Sequence, residues 1–440
     1  MIKTKLTPTA GANAQPIHSG DEIRQLLEAR SGGHPEVAMV VGVVSPDARQ
    51  IVSIGGADGD TIFEVGSLTK VFTALLLADM VQRGEVHLDD PASRYLDQPL
   101  PTRKGREIAL VDLATHTSGL PLWPASCPSP GDFASFAKYS RLELRHDLTR
   151  CELVRDIGQW DYSNLGYALL GDALAHRAGS DYERLVRERI TIPLHLDDTS
   201  IALSPSASRR LATGYDAAMQ RSPEWSMPDW AVGAGALHST ANDLMKLIAA
   251  LVGLETTPLT PAIAMLLEIR RDAPRMSQAL GWWIVPLAPG DPGIVTHRGS
   301  SAGFSANLAY DLVSQIGVIV LANSANDDGG IAWHLLRPSF PISKPVATRR
   351  EISADPAVLD RYAGSYRSPN TVFTIERDAD GLIMKNPMMP STRFRLHAET
   401  EREFFVIEVD LQLTFPSEGE LIVHWQGSAT KATRIGVAGC

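Results

Sequence analysis

Apolar positions along the chain follow three rhythms. In residues 21–30 (DEIRQLLEAR) they recur at helical spacing, with Ile23, Leu26 and Leu27 on one face. EVAMVVGVV and QIVSIGG are short β-type runs joined by the turn-forming SPDAR, which predicts a hairpin. Residues 71–81 (VFTALLLADMV) are almost unbroken in their hydrophobicity and close at RGEVHLDDP, which predicts a buried helix beginning near Ser67. Two more helices are predicted over 165–178 and 240–253. Residues 97–160, rich in Pro, Gly and short amphipathic pieces, read as an irregular or helical subdomain.

Farther on, GIVTHRG, FSANLAYD and IGVIVLANS are three successive strand-like runs with short links. Links this short require antiparallel pairing rather than crossovers. Strands at both ends with helices between them predict one mixed domain whose two ends share a sheet. RPSFPISKPVAT then reads as a linker, and the remainder alternates strand-like runs with turns, as in TVFTIERDADGLIMKN. The expected organisation is a flexible tail over 1–20, a main domain over 21–336, a linker over 337–357 and a small β domain, barrel or sandwich, over 358–440. The fold class is α/β in the mixed α+β sense: an antiparallel sheet flanked by helices, with a helical subdomain. No repeat of 20–50 residues is visible.

Composition narrows the partners. A formal charge of −10 over 440 residues, without a basic cluster, argues against nucleic acid or an anionic membrane surface. No stretch reaches the ~18 apolar residues of a membrane span. The three cysteines, Cys127, Cys151 and Cys440, match no metal spacing and suit a reducing compartment. The first twenty residues lack the apolar core of a secretory signal, so a cytoplasmic location is expected.

Candidate chemistry centres on Ser-x-x-Lys. The chain has three such pairs, Ser67–Lys70, Ser135–Lys138 and Ser428–Lys431, where about one or two arise by chance. Only Ser67 precedes a long apolar helix. A serine there sits among free backbone N–H groups and the positive end of the helix dipole. A lysine three residues on shares its face, and burial favours the neutral amine that can accept a proton. The competing reading is a helix cap with a nearby lysine.

Tyr162-Ser163-Asn164, directly before another apolar helix, supplies a phenol able to relay protons and an amide able to bond a substrate or the lysine. A turn tyrosine and an N-cap asparagine is the bland alternative. His297-Arg298-Gly299 falls on a predicted strand. There Gly299 would let a ligand approach the backbone, and the Ser300 N–H would supply a second oxyanion donor beside that of Ser67. A rival motif, GSSAG over 299–303, matches a nucleophile elbow with Ser301 as nucleophile and His334 as the nearest downstream histidine. An elbow needs strand, turn and helix, whereas strand, turn and strand are predicted here.

Taken together, Ser67-Leu68-Thr69-Lys70, Tyr162-Ser163-Asn164 and His297-Arg298-Gly299 resemble the serine β-lactamase and penicillin-binding-protein superfamily. DLATHTSGLP, YSNLGYALLG and GALHSTANDLMKL add to the likeness, which spans roughly 20–335. The nearest branch holds class C enzymes, D-aminopeptidases and family VIII esterases. The resemblance implies a β-lactamase/transpeptidase-like fold and an acyl-enzyme on Ser67. Lys70 and Tyr162 would move protons, Asn164 would orient Lys70 and the substrate, and His297 would line the far wall. Substrates would be small-molecule or peptidyl esters, thioesters or amides, with no metal or organic cofactor. Relatives also include stand-alone thioesterases that cyclise nonribosomal peptides delivered by a carrier protein. The C-terminal β domain resembles the lipocalin-like modules on some of these hydrolases. The chain departs from the family in lacking K-T-G, whose cation grips a substrate carboxylate. Arg298 could replace that charge, yet on a strand its side chain alternates to the other face from His297. A non-catalytic scaffold on the same fold is the remaining alternative.

Overall fold

The computed structural model describes residues 18–435 except 129–132, 288–289, 370, 379–380, 387–388, 408–410 and 426–427. The tail expected over 1–20 therefore lies almost wholly outside the described residues, as does Cys440.

Helix α1 (Gly20–Ser31) opens on a capping box, with the Ser19 hydroxyl accepting from Glu22 N and the Glu22 carboxylate from Ser19 N. Strands β1 (Met39–Val44) and β2 (Arg49–Ile54) form the expected hairpin. β1 is apolar without alternation because both of its faces are covered. Val40 and Val44 enter the core shared with the central helices, while Met39, Val41 and Val43 enter a second core with residues of α1 and of the helix Ile331–Leu336. A two-residue strand, β3 (Phe63–Glu64), and a 3₁₀ turn (Gly66–Leu68) lead into α2 (Thr69–Gln82). Every residue of α2 from Thr69 to Met80 is buried, as a helix apolar on all sides must be.

The helical subdomain contains α3 (Leu110–Ala114), α4 (Phe133–Ala137) and α5 (Arg141–Leu148), and is followed by α6 (Asn164–Ala178). Strand β4 (His238–Ser239) pairs with β3, and the helix Ala241–Leu251 packs across β1. Then come β5 (Arg271–Ala273), β6 (Met276–Gln278), β7 (Trp283–Val285), β8 (Ile294–Ser300), β9 (Ser305–Asp311) and β10 (Ile316–Ala322). All eight larger strands make one antiparallel sheet in the order β2-β1-β10-β9-β8-β7-β6-β5. As expected, its first and last parts meet, with Val43 opposite Val318.

Beyond the irregular stretch 337–355, a short helix (Pro356–Tyr362) precedes a closed eight-stranded barrel between Gly364 and Ile435. Its first strand pairs with its last, which removes free edges. Tyr366, Phe373, Leu382, Phe404, Leu413 and Phe415 fill the interior, and Tyr362 stacks on Phe415 at 4.2 Å. Arg349 ties the connecting stretch to the barrel through Glu399 at 2.6 Å and the Phe405 ring at 5.5 Å. Ala217 N donates to Ile407 O across to the main domain at 3.3 Å.

Candidate active site

The turn before α2 bears on the cap reading of Ser67. The N-cap position of α2 is Leu68, with no side-chain cap, so Ser67 Oγ is not spent on its own helix. Instead it accepts from Lys70 Nζ at 2.8 Å and from the Tyr162 hydroxyl at 3.0 Å. One helical turn brings Lys70 beside Ser67, and Ser163, capping α6 through Gly166 N, fixes the residue before it.

Lys70 is fully buried, and its second partner is a carbonyl, Ala234 O at 2.6 Å. Burial alone lowers its pKa well below the ordinary lysine value. The faces of Tyr162 and Tyr167, 5.2 and 5.8 Å from Nζ, pull the other way by attracting a cation. That attraction is worth about 1–2 kcal/mol, against several for desolvating an ammonium, so the neutral amine wins. With one N–H held by Ala234 O, its lone pair can take the Ser67 proton. Burial raises the Tyr162 pKa, which favours the protonated phenol.

β8 crosses directly behind the serine turn. A Cβ built on Gly299 would stand 1.9 Å from Val65 O and 3.0 Å from Ser67 N, and one on Gly66 (φ 49°) would stand 2.4 Å from Ser300 O and 2.8 Å from Ser300 N. Gly299 thus admits the turn that carries Ser67, so the backbone that closely approaches it is the chain's own. Two glycines in contact set the amides of Ser67 and Ser300 at one crossing. Ser301 N donates to Phe304 O, so Ser300 and Ser305 form a pair that exchanges no ladder bonds, and the Ser300 amide points away from β9. The Ser67 and Ser300 amides therefore flank the same glycine contact.

Side chains of β8 alternate. His297 is buried on the Lys70 side and stacks on Trp283 at 4.7 Å. Its Nδ1 lies 2.8 Å from Arg298 O; a carbonyl only accepts, so Nδ1 carries the proton and Nε2 presents a lone pair. Burial above all pushes its pKa down to about 3, which keeps the ring neutral. Arg298 faces the opposite core, donating to Asp327 at 2.6 Å and Asp328 at 2.9 Å. The idea that Arg298 supplies a substrate-binding charge is thereby corrected: the ion pairs hold it on the other side of the sheet.

A family model for Beta-lactamase matches residues 22–338. The chain belongs to the beta-lactamase family. The D-alanyl-D-alanine-carboxypeptidase/endopeptidase AmpH of Escherichia coli K12 is 32% identical over 281 residues, covering 60% of this chain and 71% of AmpH. A beta-lactamase of Pseudomonas fluorescens is 28% identical over 358 residues, covering 73% and 94%. Among solved structures, a beta-lactamase/D-alanine carboxypeptidase from Pseudomonas syringae superimposes with a TM-score of 0.64 at 20% identity, covering 73% of this chain and 99% of its own.

Within this beta-lactamase-type site, one sequence reading needs adjustment. Asn164 makes no described hydrogen bond to Lys70; Ala234 O takes that role, and the α6 cap is Ser163. The half-buried Asn164 side chain leaves only the substrate-orienting part of its assignment open. The GSSAG elbow is absent, because Ser301 sits in the tight turn between β8 and β9, and the His334 ring bonds Phe340 O. Nearby, Trp123 and Trp225 join Phe136 at 5.0 and 5.7 Å, and Trp160 donates to Gln278 Oε1 at 3.0 Å. Sequence reasoning missed Ala234, an ordinary carbonyl, and His116, whose ring lies 4.3 Å from that of Tyr162. The segment DLATHTSGLP, which contains His116, was the available signal for the second.

Proposed function

We propose that the chain is a serine hydrolase or acyltransferase whose Ser67 forms an acyl-enzyme with an ester, thioester or amide carbonyl. The observation that carries this is the two-sided hold on Ser67 Oγ by a desolvated Lys70 at 2.8 Å and a protonated Tyr162 at 3.0 Å. Lys70 takes the Ser67 proton as Oγ attacks. Negative charge gathers on the carbonyl oxygen, opposite the N–H groups of Ser67 and Ser300. Tyr162 protonates the leaving oxygen, sulfur or nitrogen and recovers a proton from Lys70. Water or an amine then takes the acyl group by the same steps in reverse. Each step uses side chains and amides of this chain alone.

His297 is a buried neutral ring that carries no cation, and Arg298 is held by Asp327 and Asp328. This favours acyl donors that need no carboxylate grip, esters and thioesters ahead of carboxylate-ended β-lactams and D-peptides. A cyclising thioesterase, with an internal amine as acceptor and a carrier protein as donor, fits the same geometry. Free thiols at Cys127 and Cys151 support a reducing, cytoplasmic setting. Among the described residues no helix is long and apolar enough to cross a membrane.

The test is intact-protein mass spectrometry after exposure to p-nitrophenyl butyrate, a peptidyl thioester and a β-lactam. One acyl adduct is expected on wild type, mapped to Ser67 and absent in Ser67→Ala. Faster decay with added amine identifies a transferase, and decay in water alone a hydrolase. An adduct surviving in Ser67→Ala but lost in Ser301→Ala, or none with any donor, ends the proposal.

A further inference from the structure

We propose that His116 is a positioning residue for Tyr162, keeping the phenol against Ser67 by gripping the backbone on both sides of it and packing on its ring. The inference rests on the reading that Tyr162 acts on Ser67. Three contacts carry it. The His116 carbonyl accepts from Asp161 N at 2.8 Å, and its Nδ1 accepts from Ser163 N at 3.1 Å. Its ring lies 4.3 Å from the Tyr162 ring. One residue thus touches 161, 162 and 163 in turn.

The grip is itself anchored. Tyr167 of α6 lies 4.9 Å from the imidazole, and its hydroxyl donates to Ala114 O at 2.6 Å, on the last residue of α3. His116 follows α3 with φ 55°, a left-handed backbone that histidine and asparagine adopt more readily than most residues. That conformation lets the carbonyl and the ring of one residue face the same segment.

The tautomer follows from the donor. An Nδ1 that accepts from an amide is unprotonated, so a neutral ring carries its proton on Nε2. Nε2 is buried without a described hydrogen-bond partner. Burial holds the ring well below its ordinary pKa. Protonating Nδ1 would set N–H against the Ser163 amide and break the grip. His116 therefore acts through Tyr162 and not as a base of its own.

Two variants separate positioning from mere packing. His116→Asn keeps an acceptor near the place of Nδ1 and tolerates the left-handed backbone, but loses the ring. His116→Phe keeps a ring and loses the acceptor. H116F is expected to acylate Ser67 about 10²-fold more slowly with KM nearly unchanged, as for a displaced catalytic group. H116N is expected within about 10-fold of wild type. Wild-type acylation in H116F, or an equal fall in both variants, overturns the proposal. Should H116F not fold, H116M, which also lacks the acceptor, takes its place under the same criteria. If wild type itself carries no adduct, the acyl-enzyme reading falls, and crystal structures of H116N and H116F decide. Tyr162 must stay within hydrogen-bond distance of Ser67 Oγ in the first and leave it in the second; the same tyrosine position in both overturns the assignment.

Discussion

Replacing Gly299 by alanine adds one methyl group at the crossing behind Ser67. The new Cβ would stand 1.9 Å from Val65 O, 2.9 Å from Leu68 N and 3.0 Å from Ser67 N. All three are backbone atoms, so no rotamer change relieves the contact. The strand and the turn must part by about 1 Å before a carbon–oxygen contact becomes tolerable. Gly66 presses on Ser300 from the other side of the same crossing, so the parting moves the Ser300 amide relative to Ser67. Overpacking of this kind destabilises by about 1–3 kcal/mol. A shift near 1 Å in a catalytic group slows chemistry about 10²-fold. The expectation is a folded G299A enzyme with a slightly lower melting temperature and an acylation rate down by about two orders of magnitude. The assay is the rate of adduct formation on Ser67 from an activated ester, with thermal unfolding alongside. Ser300→Ala, which keeps the amide, serves as the control and should acylate like wild type. A folded G299A that acylates within about twofold of wild type would refute the claim that these two glycines set the oxyanion geometry.

Lys70 must be neutral to accept a proton, so the acylation rate should rise with pH through a midpoint well below the ordinary lysine value of 10.5; Lys70→Arg, which stays charged, should lose at least about 10²-fold in a stopped-flow burst. His297 is neutral when folded and charged when unfolded between about 3 and 6.5, so the unfolded state binds the extra proton there and stability falls with falling pH. Its share is about 3 kcal/mol lost by pH 4.5, and urea unfolding of His297→Gln should show a correspondingly shallower acid loss; equal slopes would contradict the neutral assignment. Arg298→Ala leaves Asp328 buried without its ion pair and should destabilise by about 3 kcal/mol by urea melt while acylation per folded molecule stays unchanged. Burial pushes the Cys127 and Cys151 thiols up to about 12 and about 11, so both should alkylate slowly with iodoacetamide at pH 8, and rapid labelling counted by mass would show the thiols open to solvent.

The serine, lysine and tyrosine were legible because their chemistry imposes a pattern on the chain. A serine at a helix start, a lysine one turn on and an apolar helix to bury it leave a trace along one short stretch. Alternation along β8 likewise separates His297 from Arg298 before any coordinates. Gly299 was readable as a close approach, but what approaches it comes from a turn more than 230 residues earlier, which no local pattern encodes. Ala234 acts through a carbonyl that every residue possesses. Strands β5, β6 and β7 are three residues each, too short to show a period. The barrel was legible as a β domain, yet its closure depends on Gly364–Arg367 meeting Ser428–Ile435, a pairing of chain ends.

The pairing of β1 with β10 also fixes a timetable. Met39 waits for Ala322 and Val44 for Gly317, so the N-terminal hairpin leaves the ribosome with no neighbour on that edge. At ordinary synthesis rates roughly 275 residues take about 15 to 55 s. Throughout that interval a strand apolar on both faces stays uncovered, a template for pairing with another nascent chain. The β1 edge of the hairpin is therefore completed only after β10 has been made.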